Sequence, residues 1–216
     1  MPKVAFDISI SLDGFVAGPD PSVEQPLGKG GERLHEWAYG LATFHERHGR
    51  PGGEAGPDDE VLAEVFDGVG AMVMGRRMFG GGDGSWGDPP WEGWWGEDPP
   101  FRAPVFVVTH HAREPVAKEG GTSFTFVTEG VEAAIEQARS AAGDLDVSVA
   151  GGASVIQQGI RAGLVDEGQI HLVPTLLGGG TRLLEGLDPD ATALEKTRTI
   201  DSPGVTHLSY RFTARR

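Results

Sequence analysis

Three short segments carry groups suited to holding an anion. Gly75-Arg76-Arg77, Thr109-His110-His111 and Gly151-Gly152-Ala153-Ser154 each follow a run of apolar residues. Glycines let backbone N–H groups come close to a phosphate, and a helix opening at the glycine pair adds donors and a partial positive charge. Arginine offers a planar fork that matches phosphate oxygens. Each segment alone has a plainer reading: a tight strand-to-helix turn for the glycines, surface ion pairs for the arginines, a solvated turn for the histidines. Their joint presence stands out against the charge of the chain, in which 18 Lys and Arg face 32 Asp and Glu for a net charge of −14. Such a surface repels phosphate backbones, so nucleic acid is not an expected partner. A small anionic ligand must be gripped by local donors.

The elements that would position these segments follow from hydrophobic period. Residues 3–10 alternate and read as a strand, and 69–74, 104–109, 123–127 and 145–150 read as further strands. A strand near 169–174 and two more over about 192–200 and 204–213 complete the set. Leu34, Trp37, Ala38, Leu41 and Phe44 fall three or four apart, which predicts one amphipathic helix over 32–47. Asp58 is expected to cap a helix running to about Phe66, and Thr128 one ending at Gly143; a third lies near 153–162. Strands alternating with helices predict an α/β domain with a parallel-rich sheet covered on both faces. The last two strands have no helix between them, so that end of the sheet is expected to be antiparallel. In such sheets ligands sit beyond the carboxyl ends of the strands, where all three donor segments fall.

Of 216 residues, 34 are Gly and 15 are Pro, nearly twice the usual ~12% share. Long loops are therefore expected, and 49–57, 80–100 and 175–190 read as such, the first two as insertions in a single domain spanning 1–216. The absence of cysteine excludes disulfides, thiol nucleophiles, iron–sulfur ligation and the cysteine-based zinc site of nucleotide deaminases. Neither a P-loop, G-x-G-x-x-G after the first strand, H-E-x-x-H nor G-x-S-x-G is present. His45 and His48 share a polar helix face, where exposure outweighs metal binding, so no metal is expected. The N-terminal MPKVAFDISI lacks the apolar run of a signal peptide, and no stretch nears the roughly 18 apolar residues of a membrane span. A cytoplasmic location without membrane partners is the expectation.

The order S-L-D-G-F-V-A-G (11–18), M-G-R-R-M-F (74–79), V-V-T-H (107–110), V-A-G-G-A-S-V-I (149–156) and L-V-D-E…H-L-V-P-T-L-L-G-G-G-T-R-L-L (164–184) resembles the dihydrofolate-reductase-like superfamily. Within it the chain is similar to the riboflavin-biosynthesis reductase domains. The resemblance covers nearly the whole chain, and its last motif is the most specific. It implies a three-layer α/β/α dihydrofolate-reductase-like fold that binds NADPH and transfers hydride to a small heterocyclic or sugar-linked substrate. The reduction of 5-amino-6-(5-phosphoribosylamino)uracil is the nearest specific reaction. Dihydrofolate reduction and non-catalytic nucleotide binding are the alternatives. By the same resemblance Gly75, Arg76 and Arg77 lie along the cofactor phosphates. Thr109 and His110 lie near the adenosine 2′-phosphate, and Gly151, Gly152, Ala153, Ser154 and Val155 wrap the pyrophosphate. Ala17 faces the nicotinamide, and Gly178 and Gly179 lie near the mouth of the site.

A reduction that yields an amine or alcohol also needs a proton. Asp13, Glu32 and His35 are the candidates, with Asp13 also readable as plain Asp-Gly turn chemistry and Glu32 as a helix-start acid. Trp86, Trp91, Trp94 and Trp95 stand in one loop among Gly, Pro and acids. They read either as a lid that stacks on a flat substrate, with Trp86 and His35 as substrate contacts, or as the apolar contact of a homodimer. The dimer reading rests on the expectation that the loop's own neighbours cannot bury four Trp side chains.

Overall fold

A computed structural model describes residues 2–80, 82 and 84–214. Nine strands form one sheet, in the order β10-β11-β8-β1-β7-β3-β4-β6-β5. These are β1 (Val4–Ser11), β3 (Val69–Gly75), β4 (Pro104–Val108), β5 (Val116–Ala117), β6 (Ser123–Val127), β7 (Asp146–Gly151), β8 (Glu167–Val173), β10 (Thr192–Ser202) and β11 (Val205–Ala214). Pairing is parallel from β8 through β1, β7, β3 and β4 to β6. It is antiparallel at β10–β11 and β11–β8, and again where β5 meets β6. The mostly parallel α/β sheet with an antiparallel C-terminal end is the one expected from the sequence.

Side chains alternate across the sheet, and each face finds its own cover. On one face Val4, Phe6, Ala71, Val73, Val147 and Val149 are fully buried. They pack beneath α5 (Val131–Ala142), whose stripe is Val131, Ala134, Ile135 and Ala138, and α6 (Ala153–Arg161), which adds Val155, Ile156 and Ile160. Each large side chain buried this way contributes about 1.5–3 kcal/mol. On the other face Met72, Met74, Val105, Val107, Phe124 and Phe126 meet Phe79, Trp86 and Phe101. Farther along that face Leu34, Val173 and Val205 make a smaller cluster, with Trp37 and Leu177 packed against it.

The expected helix over 32–47 is broken. A 3-10 turn at Gly31–Leu34 leads to α1 (Glu36–Tyr39) and then α2 (Ala42–Arg47), with Leu41 extended between them. The cause lies in the 49–57 loop, which is not wholly irregular. Glu54 N–H donates to Gly40 O (2.8 Å), and Ala42 N–H donates to Glu54 O (3.0 Å). These bonds take backbone groups a continuous helix would use. Gly53 makes the crossing possible, because a Cβ there would lie 2.5 Å from Ala42 Cα.

Both expected caps are corrected too. The next helix, α3 (Pro57–Glu64), starts from Gly56, and α5 starts from Gly130, neither with a side-chain cap. The Asp58 carboxylate turns instead to Ser202 and His207, and the Thr128 N–H is taken by the Glu129 carboxylate. Within 175–190, read as loop, β9 (Thr181–Arg182) pairs with β2 (Phe15–Ala17) in a small ribbon.

The Trp loop folds back on the sheet. Trp86 is 9% exposed and packs edge-on against Phe79 and Phe126. Trp91 and Trp95 lean on the same cluster, and Trp94 lies against Trp91 and Gly80. Lys118, its side chain 3% exposed, ties the loop to the sheet edge through Glu92 (2.7 Å) and Glu97 (3.0 Å). β4 and β6 thus cover Trp86 and one side of Trp91 and Trp95, while Trp91, Trp94 and Trp95 remain half-buried.

A test of the packing lies at Gly168 in β8. A Cβ there would fall 2.3 Å from Phe6 Cζ and 2.9 Å from Phe212, whose rings meet edge-on at 5.6 Å. Gly168→Ala should destabilise the fold by about 1–3 kcal/mol in urea unfolding. An unchanged midpoint would mean that the ring pair gives way freely.

Candidate active site

Parallel pairing brings the donor segments to one edge. Met74 and Gly151 are register partners, so β3 and β7 end side by side. A Cβ on Gly75 would lie 3.0 Å from Val155 Cγ2 and 3.8 Å from Gly152 N, which puts Gly75–Arg77 against the start of α6. The two glycines of the pair differ. Gly151 has φ 134°, a conformation that requires glycine, and its peptide to Gly152 is cis. Gly152 has φ −79°, and a Cβ there would meet nothing within 4 Å. Neither backbone nor packing demands glycine at 152, while open space lies beside it. Ala153 and Val155 are buried and anchor the helix, and Ser154 is exposed with its hydroxyl accepting from Gln158 (3.0 Å).

The arginines part company. Arg76 is buried in the single turn α4 (Arg76–Phe79), its guanidinium 3.6 Å from the centre of the Trp86 ring and donating to Gly80 O. It supports the Trp loop, which corrects the expectation that its side chain faces a phosphate. Arg77 is exposed at the strand end. Trp86 carries Arg113 near its ring as well and donates from Nε1 to His111 O (2.9 Å), so it is a core residue and not a lid contact. Thr109 is buried, and its hydroxyl accepts from His111 N–H (3.1 Å), closing the turn after β4. His110 is exposed at the tip of that turn.

Asp13 organises the opposite rim. Its carboxylate accepts from Ser11 Oγ (2.6 Å), Leu177 N–H (3.1 Å) and Gly178 N–H (2.7 Å). The loop after β1 is thereby tied to the loop after β8, and Arg182 adds a bond to Asp13 O (3.1 Å). The Ser11 hydroxyl first, then the Gly178 and Leu177 N–H groups, hold the Asp13 carboxyl down to about 2. A carboxylate so held does not give up a proton near neutrality, which corrects its assignment as donor and leaves it the turn role. Ala17 lies in β2, half-buried, with its carbonyl against Gly180. Gly178 and Gly179 have open space where a Cβ would be.

The remaining candidates stand on the short-helix layer. Glu32 is exposed and accepts from Tyr39 Oη (2.6 Å); burial, reinforced by that bond, pushes the Tyr39 hydroxyl up. Burial pushes the His35 imidazolium down, with Glu32 opposing, so His35 is neutral near pH 7. One polar group escaped the sequence reading. Asp7, His171, His207 and Asp58 form a hydrogen-bonded chain under Trp37. Its signal was the polar alternation of Asp7, Ser9 and Ser11 in β1 and of Gln169 and His171 in β8.

The RibD C-terminal domain family model matches residues 2–207. The chain belongs to this family. A putative riboflavin biosynthesis protein from Shewanella sp. PV-4 is similar over 98% of this chain and 99% of its own, at 20% identity and a TM-score of 0.60. A deaminase/5-amino-6-(5-phosphoribosylamino)uracil reductase from Thermotoga maritima matches 97% of this chain, 56% of its own length, at 14% identity and 0.56. Enterococcus faecalis dihydrofolate reductase, complexed with NADP(H) and RAB-propyl, matches 97% of this chain and 96% of its own at 16% identity and 0.50. No curated protein matches the sequence significantly. At these identities the likeness establishes a dihydrofolate-reductase-like fold. Among the described residues no helix is long and apolar enough to cross a membrane, and no cluster of three or more His, Asp or Glu is placed to hold a metal ion.

Asp13 offers a direct check on the rim. Its carboxyl is depressed from the ordinary 3.8 to about 2, so any stability its bonds lend is present above 3.8 and lost as pH falls through about 2. A carbon-13 titration of the aspartate carboxyls should show Asp13 changing near pH 2. A midpoint at the ordinary value would mean that the two loops are not joined.

Proposed function

We propose that the chain is an NADPH-dependent reductase of the riboflavin-pathway type. The observation that carries this reading is the junction of Gly75–Arg77 with Gly151–Val155, where Gly152 lacks a side chain that neither backbone nor packing forbids. A side chain there would fill the space beside the first turn of α6, so the residues fit a pyrophosphate laid across it. Membership of the RibD C-terminal family and the likeness to a reductase complexed with NADP(H) support it.

When bound, NADPH would supply the hydride; the chain's part is to hold, orient and keep water away. The Gly152 backbone and the N–H groups of Ala153 and Ser154 hold phosphate. Arg77 and His110, exposed at neighbouring strand ends, lie where a further phosphate would be met. Ala17 and the Gly178–Gly179 loop, tied down by Asp13, would be the side on which a flat substrate meets the cofactor. A pyrimidine bearing a ribose phosphate, as in the Thermotoga relative, is the substrate we favour. Glu32 sits at the surface with its carboxylate bonded to Tyr39, which counts against it as the proton donor that dihydrofolate reduction would need. A homodimer is part of this reading, supported by the half-buried Trp91, Trp94 and Trp95 and by the exposed Leu12 (63%) and Leu176 (64%) on adjoining loops.

Calorimetric titration should show NADPH binding at least about tenfold tighter than NADH, because one charge-assisted contact contributes about 1.5–3 kcal/mol. Equal affinities would remove Arg77 and His110 from the site. Gly152→Val should remain folded and lose NADPH binding altogether. A folded variant that binds normally would return the glycine pair to a plain turn.

A further inference from the structure

Four groups on four elements form an unbroken chain, two buried imidazoles between two half-buried carboxylates. Asp7 Oδ2 lies 2.7 Å from His171 Nε2, His171 Nδ1 lies 2.6 Å from His207 Nδ1, and His207 Nε2 lies 3.1 Å from Asp58 Oδ1. His171 and His207 are direct partners across β8 and β11 and are 1% and 2% exposed. Trp37 of α1 covers both rings, at 4.6 and 5.0 Å between centres. Beyond the ends, Gln169 donates to Asp7 (3.2 Å) and Ser202 to Asp58 (2.5 Å).

Counting hydrogens decides the charge state. Each of the three contacts joins two groups that both accept when unprotonated, so each needs one hydrogen. Two neutral imidazoles carry two N–H hydrogens, and ionised carboxylates carry none. One contact would then press lone pair against lone pair in a buried site, which is costly. Burial pushes His207 down, with Asp58 opposing. The Asp7–His171 contact is also the shorter end, 2.7 Å against 3.1 Å at His207–Asp58, as a charge-assisted bond would be, so His207 is taken as the neutral ring, donating from Nε2 to Asp58 and accepting at Nδ1. The third hydrogen belongs at the Asp7–His171 contact. The other titratable groups facing the chain are His35, at the start of α1 and pushed down by burial, Glu32 beside it, and, around the cavity at the Asp7 end, Glu64, Asp67, Asp146, Glu167 and Tyr210.

We propose that Asp7, His171, His207 and Asp58 hold one proton beyond those of two neutral imidazoles, and that this proton latches the short-helix layer to the sheet. The latch joins β1, β8 and β11 to α3 through Asp58 and to α1 through Trp37. Its exchange route is the Asp7 end. That carboxylate lines a cavity of about 210 Å³, between the end of α3 and the strands, with Ser148, Gln169, Ser209 and Glu64. Removing the proton as pH rises leaves one contact without a hydrogen, and adding another as pH falls puts two hydrogens into one contact, so the latch holds only between these limits and releases on the alkaline side by losing its surplus proton.

The full chain, labelled with nitrogen-15 in histidine and carbon-13 in aspartate carboxyls, gives the count by NMR without any cofactor. Near neutral pH the expected result is three hydrogens in the chain: two ring N–H signals plus either a third ring N–H or a protonated Asp7 carboxyl. Two ring hydrogens with both carboxylates ionised overturns the proposal. Asp7→Asn supplies a hydrogen from its amide, so the count on the rings should be two and the surplus proton lost. A variant that keeps a third ring hydrogen also overturns it. In thermal melts the wild type should lose several degrees more than Asp7→Asn between neutral and mildly alkaline pH, and identical losses would remove the latch.

Discussion

Parallel pairing is the constraint on which the rest depends. Because β1, β3, β4, β6, β7 and β8 all run the same way, six chain exits reach one edge of the sheet. No single exit makes a binding site. Gly152 offers backbone and space, Arg77 and His110 offer donors, and the Asp13 clamp sets where the Gly178 loop stands. Their sequence positions span more than 160 residues, yet the register Met74–Gly151 makes two of them immediate neighbours. A one-residue slip there would send every side chain of that strand to the opposite face. Apolar packing of Val73 and Val149 beneath α5 and α6 is what forbids the slip.

The face away from α5 and α6 solves a harder problem. It carries Asp7, Ser9, His171 and His207 at the β1–β8–β11 end and Arg76 at the β3 end, and all need partners once covered. The two ends use different means. At one, imidazoles and carboxylates satisfy one another in a chain, and Trp37 closes over them while donating to Ser9 Oγ (3.1 Å). At the other, the Arg76 guanidinium lies flat on Trp86, and Arg113 donates to Trp91 O (2.5 Å). The Trp-rich loop is the apolar roof that lets a guanidinium be buried beside the strand end.

How far the sequence speaks depends on whether the deciding partner is near or far in the chain. The eight long strands were legible, because an apolar run such as 69–74 carries its own reason to be buried. The donor segments were legible as chemistry, since their types alone suit an anion. The helix over 32–47 was misread because Glu54 breaks it through bonds to Gly40 and Ala42. The caps were misread because Gly56 and Gly130 take the position that Asp58 and Thr128 seemed to fit, and the Asp58 carboxylate finds Ser202 and His207 more than 140 residues away. Trp86 was misread for the same reason, since local composition says loop while its cover comes from Phe126, and Arg76 because the Trp86 ring that takes its guanidinium lies in that loop.

For an acidic protein to take up an anionic ligand, long-range repulsion would have to be separated from short-range grip. The net charge of −14 acts through solvent and decays over the roughly 8–10 Å screening length of physiological salt. The donors at the strand ends act within about 3 Å, where screening by salt is weak. The Asp13 charge is already taken up by two backbone N–H groups and a hydroxyl, and the first turn of α6 places N–H donors at the glycine edge. Added salt should weaken the distant repulsion more than the local bonds, the opposite of the behaviour of a basic protein on a polyanion, where each contact releases counterions and salt loosens the complex.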